Sequence, residues 1–396
     1  MTDRPYRVVV AGAGVAGLET VLALRELAHD LVEVEVIAPE VDFVYRPLAV
    51  IEPFTAGPLY RFPLRELLGG QGARHRRDAL AAVNPLAGQL TTRRGDVLEY
   101  DALVVACGGR PVEALPGALT FKGSDDSKAF RSLIDELEAG SARLVAFAVP
   151  GDSGWVLPLY ELALLTSAWL EGRGRSDVAI TVVTPEPAPL AQFGTTASDA
   201  VAALLVERGI EVMPDTYSVD VADGALRTTE GRIIPADRVV TLPRLEGPGI
   251  QGLPSDRDGF LGITDHGAVH GAPDVYAAGD ATVFPIKQGG IATQQADAVA
   301  EALAARVGVP LVPRPFRPVL RGLLLTGGVP RYLRAELGGG QGETSSIAVD
   351  PLWWPPSKVA GRYLAPFLAG LVGETAVPAV EGRVEVDVEL PGPSLP

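Results

Sequence analysis

One cysteine, Cys107, stands in a chain of 396 residues. It has no partner for an intrachain disulfide, a dithiol redox pair or a cysteine metal cluster, and so thiol-poor a chain fits a reducing compartment. Histidines number four. His266 and His270 are four apart, but Gly267, Gly271 and Pro273 break the helix that would set them on one face, so no metal site is expected. A cationic surface is missing as well. The 34 basic and 49 acidic side chains leave a net charge of −15, which argues against nucleic acid, because phosphate binding needs cations to release counterions. The same charge opposes a purely electrostatic hold on anionic lipid. No run of about 18 apolar residues is present to span a bilayer. The opening MTDRPYRVVV lacks the basic n-region and long apolar h-region of a secretory signal. A cytoplasmic location is the expectation.

What the chain does have is length, glycine and apolar residues. At 396 residues with 47% hydrophobic side chains it is too long for one core, and two or three domains are expected. Val8–Gly17 reads VVVAGAGVAG: a short β-branched strand, then Gly12, Gly14 and Gly17 in G-x-G-x-x-G, then a helix-spaced LETVLALRELA. The first glycine permits the tight turn, the second lets backbone approach a pyrophosphate, and the third lets helix and strand pack closely. The pyrophosphate would rest on the helix N-terminus, where unpaired N–H groups and the dipole favour negative charge. A second strand, Val32–Ile37, should deliver an acid for the ribose hydroxyls. Its next residue is Ala38, so that role slips to Glu40, with Asp42 in reserve. Arg46 and Pro47 follow on a loop that would pass close to the bound cofactor.

Farther on, Tyr100-Asp101 launches a buried strand over Ala102–Ala106, ended by Cys107-Gly108-Gly109-Arg110-Pro111. The passage from Leu226, LRTTEGRIIPADRVVTLPRLEGP, echoes LTTRRGDVLEYDALVVACGGRP, with Asp237 in the place of Asp101. Between the two, residues 116–244 read as a second nucleotide-binding-type unit whose turn is degenerate. Pro150-Gly151-Asp152-Ser153-Gly154-Trp155 places a donor-less proline, a like charge and a bulky ring where phosphate would need glycine. A strand at Val275–Ala278 then ends in Gly279-Asp280. Gly289-Gly290 precede a long helix from about Ile291 to Val307, with Gln294 and Gln295 in its first turn. In the last part, Gly327-Gly328 signal a hairpin. Trp353 and Trp354 precede a short amphipathic helix expected around Lys358–Leu371, and VEVDVELPGPSLP reads as an edge strand and tail. At this net charge the tryptophans point to packing or a homodimer contact rather than a peripheral membrane contact.

Together these motifs resemble the FAD-dependent pyridine nucleotide-disulfide oxidoreductase superfamily, and within it sulfide:quinone oxidoreductase-like proteins (FVYRPLAV, PLYELALL, IKQGG and WWPPSKVAGRYLAP share that character). The resemblance implies an α/β fold of two nested Rossmann-like domains plus a small C-terminal α+β region. The expected units are a discontinuous FAD-binding domain (1–115 and 245–315), an NAD(P)-binding-like domain (116–244) and a capping or interface region (316–396). It implies FAD held by Gly12, Gly14, Gly17, Glu40, Arg46, Pro47, Ala106, Cys107, Gly108, Gly279, Asp280, Gly290 and Ile291, with Asp280 on the ribityl chain and Cys107 a small buried hydrophobe. The helix from Ile291 would aim its positive end at the flavin, and Gln294 and Gln295 would line a quinone pocket. Sulfide oxidation in that family runs through a pair of redox cysteines, which one cysteine cannot supply. The expectation is therefore an FAD-dependent enzyme passing two electrons from a small reductant to a quinone-like acceptor without a dithiol. An NAD(P)H:acceptor oxidoreductase of the type II NADH dehydrogenase kind and a flavin-bearing interaction protein are the alternatives. No residue declares itself as catalytic acid or base; Lys287, Glu161 and Tyr160 are the candidates by type.

Overall fold

The structure, a computed structural model, describes residues 4–55, 60–151, 153–338 and 341–372. Strand β1 (Tyr6–Ala11) is followed by helix α1 (Val15–Ala28) and then by β2 (Val32–Ile37), β3 (Arg74–Arg76) and β4 (Ala102–Val105). Val8, Val9 and Val10 are wholly buried, as are all four residues of β4. Such continuous apolar runs are what a parallel sheet covered on both faces requires. β2 and β4 flank β1 in parallel, with Val8 beside Val34 and Ala102.

A second parallel sheet is built next. It comprises β5 (Leu119–Thr120), β6 (Leu144–Ala148), β7 (Ala179–Val183), β8 (Ile210–Met213) and β9 (Arg238–Thr241), in the order β5-β9-β6-β7-β8. Its helices are α2 (Ser127–Ala139), α3 (Leu157–Glu171) and α4 (Thr195–Glu207). α3 is apolar nearly all round and buried along most of its length, the pattern of a helix enclosed by protein rather than lying on a surface. Gly209, with φ of +65°, closes the turn after α4.

The chain then returns to the first sheet. β10 (Val275–Ala277) pairs in parallel with β4, giving the order β10-β4-β1-β2-β3. Helix α5 (Gly289–Arg306) packs along α1. Each parallel sheet carries an antiparallel three-stranded meander, over residues 80–99 and 218–235. The echoed aspartates do the same work in each half. Asp101 accepts the amide of Arg7 at the start of β1 (2.7 Å), and Asp237 accepts those of Arg143 and Leu144 at the start of β6 (2.7 and 2.9 Å).

The last described part is an antiparallel sheet of β11 (Val319–Leu324), β12 (Arg331–Gly338) and β13 (Gln341–Ala348), followed by α6 (Leu364–Val372). Gly327, at φ +74°, lies in the β11–β12 turn, where a Cβ would meet Ala168 of α3 at 2.2 Å. The terminal helix is shorter than the Lys358–Leu371 span expected from sequence. Arg362 and Tyr363 are drawn instead into contacts with Glu301 and Glu19, and Lys358 is buried in an ion pair. Trp353 packs edge-on against Tyr332 and donates to the Ser357 carbonyl (3.0 Å), whereas Trp354 is 81% exposed. The stretch VEVDVELPGPSLP lies outside the described residues.

Candidate functional site

The three glycines after β1 meet three different constraints. Gly12 has φ of +113°, and a Cβ there would fall 2.3 Å from the Ala106 carbonyl oxygen. It therefore needs the freedom of glycine and presses against the end of β4. A Cβ on Gly17 would lie 2.0 Å from Gly12 O, so α1 can approach its strand only without a side chain. Gly14 differs: nothing among the described residues lies within 4 Å of its would-be Cβ. It is the N-cap of α1, whose first turn holds no acidic residue. An unopposed positive helix end facing open space suits a pyrophosphate.

At the carboxyl edge of the same sheet, Ala106, Cys107 and Gly108 follow β4, and Gly279 and Asp280 follow β10. Ligands bind to open α/β sheets at this edge. Arg46, Pro47, Cys107, Gly108 and Asp280 all line one cavity of about 660 Å³. Desolvation raises the pKa of Asp280, opposed by Lys287 and Arg46. A carboxylate so placed is an acceptor for sugar hydroxyls, so the residues present fit an FAD whose pyrophosphate lies at Gly14 and whose ribityl chain runs past Asp280. Gly279, at φ +77°, sits within 3.3 Å (as a Cβ) of Ala16 on α1 and Ala292 on α5, which lets the two helix ends converge.

Cys107 faces the cavity in which the FAD is expected. The recess is nonetheless deep enough that desolvation pushes its thiol up to about 11. It remains a neutral thiol at neutral pH, far from the activated thiolate of a catalytic cysteine.

Glu40 is exposed beyond the end of β2. The carboxylate fixed near that strand is instead Glu35, buried among Arg7, Arg74 and Arg76. α5 opens at Gly289 on the cavity wall. Gly290 and Ile291 stand just inside it, with the Ile291 amide capped by Gln288 Oε1 (2.9 Å). Gln294 and Gln295 are occupied elsewhere. Gln294 exchanges two hydrogen bonds of 2.9 Å with the Val319 backbone on β11. Gln295 is buried and accepts the Gly279 amide at 2.7 Å. Both hold the framework of the site, and neither is among the residues lining the cavity.

Of the three candidates by type, two reach the cavity. Lys287 donates to the Thr282 carbonyl and covers the Phe260 ring at 3.7 Å. Desolvation brings its pKa down to about 8 against the pull of Asp280 and Asp256. Glu161, fully buried on α3, accepts from Lys358 and from the Leu325 amide (2.8 Å), while its Oε2 has no partner among the described residues. Desolvation raises the Glu161 pKa and lowers that of Lys358, each countered by the other. Lys358 also donates to Leu323 O (2.9 Å). Sequence reading missed Lys358, whose only signal is a charge set in the apolar WWPPSKVAG. This lysine lines a second, apolar groove as well, with Tyr45, Leu48, Tyr60, Phe62, Ala365 and Leu368.

Tyr160 turns away from the cavity and donates to Glu186 (2.7 Å), which Thr184 also holds (3.0 Å). Glu186 follows β7, the position at which a second dinucleotide unit would present its ribose acid. Its burial raises its pKa, opposed by those two hydroxyls. The degenerate turn is crowded at its last glycine. A Cβ on Gly154 would lie 2.7 Å from both Lys287 Cγ and Pro285 O, and Trp155 packs on Phe193 while lining the 660 Å³ cavity.

Comparison with known proteins agrees with this geometry. A sulfide-quinone reductase of Aquifex aeolicus is 29% identical over 273 residues, covering 63% of this chain and 61% of the relative's length. An NADH dehydrogenase-like protein of Mycobacterium tuberculosis is 26% identical over 292 residues, covering 69% and 72%. The solved sulfide:quinone oxidoreductase of Aquifex aeolicus has the same fold, with a TM-score of 0.80 at 20% identity over 94% of this chain and 96% of that one. A ferredoxin reductase of Rhodopseudomonas palustris superposes at 0.64 and 20% identity, covering 84% and 83%. Residues 6–302 match the pyridine nucleotide-disulphide oxidoreductase family along their whole run. The chain belongs to that family of FAD-binding oxidoreductases.

Proposed function

We propose that this chain takes two electrons from a small reductant other than NAD(P)H and passes them to a quinone-like acceptor, without a dithiol. The observation that carries the reading is the placement of Lys358 between the two hollows, one polar enough for FAD and one apolar. FAD, when bound, supplies the two-electron chemistry, and the protein supplies orientation, proton handling and exclusion of water. On the donor side, Trp155, Leu157, Pro158, Leu245 and Leu323 present an apolar wall. Toward the groove, Lys358 is the one ammonium among the described residues in reach of both spaces, and it shares its proton with Glu161 Oε1. Reducing a quinone consumes two protons, so a Lys–Glu pair with a free Oε2 is suited to hold one at the boundary.

The relatives favour a quinone in one case and NADH in the other, and the structure gives reasons to prefer a donor other than NAD(P)H. Lys287 and Pro285 crowd the Gly154 turn, and Tyr160 and Thr184 engage Glu186. With regard to location, no helix among the described residues is long and apolar enough to cross a membrane. The shared parallel sheet of β1–β4 and β10 supports assigning residues 1–115 and 245–315 to one FAD-binding unit, with 116–244 inserted and 316–396 as the capping or interface region.

The test is anaerobic mixing of the purified yellow protein with candidate donors, NADH and NADPH included, followed by reoxidation with a soluble quinone. Bleaching by a small reductant and quinone-dependent recovery are expected. Rapid bleaching by micromolar NADH would reverse the choice of donor, and a flavin that no donor reduces would end the proposal.

A further inference from the structure

β11 lies at the edge of its sheet, and side chains from outside the sheet meet backbone groups that it turns outward. They do so on alternate residues, the spacing at which an edge strand presents such groups. Gln294 exchanges two bonds with the Val319 backbone, Gln288 Nε2 donates to Arg321 O (2.9 Å), and Lys358 donates to Leu323 O (2.9 Å). Gln288 makes a second bond. It is the N-cap of α5, and its Oε1 accepts the Ile291 amide (2.9 Å). Its amide group thus has one workable orientation, carbonyl to the helix and NH2 to the strand. Two glycines leave room for this. A Cβ on Gly290 would fall 3.0 Å from Gln288 Oε1, and one on Gly289 would fall 2.8 Å from Val359 Cγ2. Gln288 itself is 6% exposed. Gln-Gly-Gly at 288–290 therefore fastens the end of one helix to a neighbouring strand.

That end stands on the wall of the 660 Å³ cavity, which Gln288 and Gly289 both line. The Ala292 amide bonds to Gln288 O (2.9 Å), and the Gly289 and Gly290 amides before it meet no acceptor among the described residues. The first turn of this 18-residue helix holds no acidic side chain, so about half a positive charge stands there uncancelled. An FAD with its pyrophosphate at Gly14 and its ribityl chain past Asp280 would carry its ring farther along the cavity, toward this wall.

We propose that Gln288 is a positioning residue for the reduction potential of bound FAD: a neutral cap tied to β11, it holds the positive end of α5 on the cavity wall without cancelling it. Reduction by two electrons with one proton leaves the flavin ring with one negative charge, whereas a second proton neutralises it. A positive helix end favours the anion, and so raises the potential and keeps the second proton off. A carboxylate in place of Gln288 would still accept the Ile291 amide and cap the helix, but it would set a full negative charge against that end and could not donate to Arg321 O. The other charges close by are Arg46, Asp280 and Lys287 and the Lys358–Glu161 pair. They are common to both forms, so the comparison isolates the cap. The proposal concerns FAD alone and does not rest on which donor or acceptor the chain uses.

The test is the midpoint potential of the FAD-loaded protein, read by absorbance against mediator dyes, in wild type and in Gln288→Glu. At about pH 8, where a carboxyl at a helix N-terminus is ionised, the reduction equilibrium of the variant should fall by about tenfold, or about 30 mV for a two-electron couple. Equal potentials overturn the proposal. Either the charge does not reach the flavin, or a carboxyl that stays protonated there shows that the end is not positive. In wild type the potential should fall by about 30 mV per pH unit between about pH 6 and pH 8, one proton for two electrons. A wild-type slope of about 60 mV, two protons for two electrons, overturns the proposal too, and decides alone if the variant does not fold. Neither reading uses a donor or a quinone, so a protein inert to both leaves this test intact and removes only the function proposed above.

Discussion

Removing the Lys358 ammonium, as in Lys358→Met, should be among the most damaging changes available outside the glycine turn. The substitution keeps length and apolar volume, so it tests charge rather than packing. Glu161 has no solvent exposure and the Lys358 side chain is 6% exposed, so the carboxylate left behind would keep one hydrogen bond, from the Leu325 amide. Breaking a buried pair by deleting one partner costs about 3–5 kcal/mol, because the survivor stays buried and uncompensated. The variant would relieve this by protonating Glu161, which fixes the pH dependence. Burial already raises the Glu161 pKa, and Lys358 is the largest influence lowering it. Without that cation the folded value rises further above the unfolded one. The destabilisation should therefore be small near the ordinary carboxylate pKa and grow as pH rises toward the new folded value. Urea unfolding of the FAD-loaded protein, followed by tryptophan fluorescence at about pH 5 and again at about pH 8, measures it. The double variant Glu161→Gln, Lys358→Met leaves no buried ion, and its cost should fall short of the sum of the singles by about 1–3 kcal/mol. A Lys358→Met loss within about 0.5 kcal/mol of zero, or one equal at both pH values, would refute the reasoning.

Other outcomes follow from the same geometry. Gly14→Val should give folded but colourless protein, since its Cβ points into open space; a yellow product, read by its visible spectrum, contradicts the pyrophosphate site. Gly17→Ala drives a Cβ to 2.0 Å from backbone and should lower the thermal midpoint even of apo protein, which calorimetry separates from simple loss of cofactor. Cys107→Ser should retain FAD and turnover. Alkylation of the native thiol, followed by mass spectrometry, should accelerate about tenfold per pH unit up to about 11 and be blocked by bound FAD. Adding NADH to the oxidised protein should leave the flavin absorbance unchanged over seconds, whereas bleaching on that scale would show that the Gly154 turn opens.

Much of the fold was legible because local rules and tertiary structure agree. The β-branched runs at Val8 and Val32, the glycines at 12, 14 and 17, and the apolar strands before Cys107 and Gly279 each satisfy propensity, burial and turn chemistry together. Asp101 and Asp237 were visible as an echo, and the structure supplies its reason, since each caps the opening amides of a strand in its sheet. The terminal helix was misjudged at its start because its first turn is set by Glu19, and no reading of residues 358–371 alone could include a carboxylate 344 positions away. Cys107 was read from the resemblance as a small hydrophobe beside the cofactor, and its side chain faces a cavity whose walls come from widely separated stretches.

The candidate site divides along the same line. Residues that act through backbone, such as Gly12, Gly14 and Gly279, announce themselves in sequence because only glycine tolerates their geometry. Residues that act through charge do not. Glu161 and Lys358 are 197 positions apart. The contrast is sharpest between the two dinucleotide-type turns. In the first, the middle glycine faces empty space at a helix end without acidic residues. In the second, a Cβ on Gly154 would lie 2.7 Å from Lys287 Cγ and from Pro285 O, on the stretch that carries Asp280's counter-charge. On the donor proposed above, giving this chain NAD(P)H binding would require moving Lys287 as well as rewriting residues 150–155. A variant with only a G-x-G-x-x-G graft at that turn should remain unresponsive to NADH.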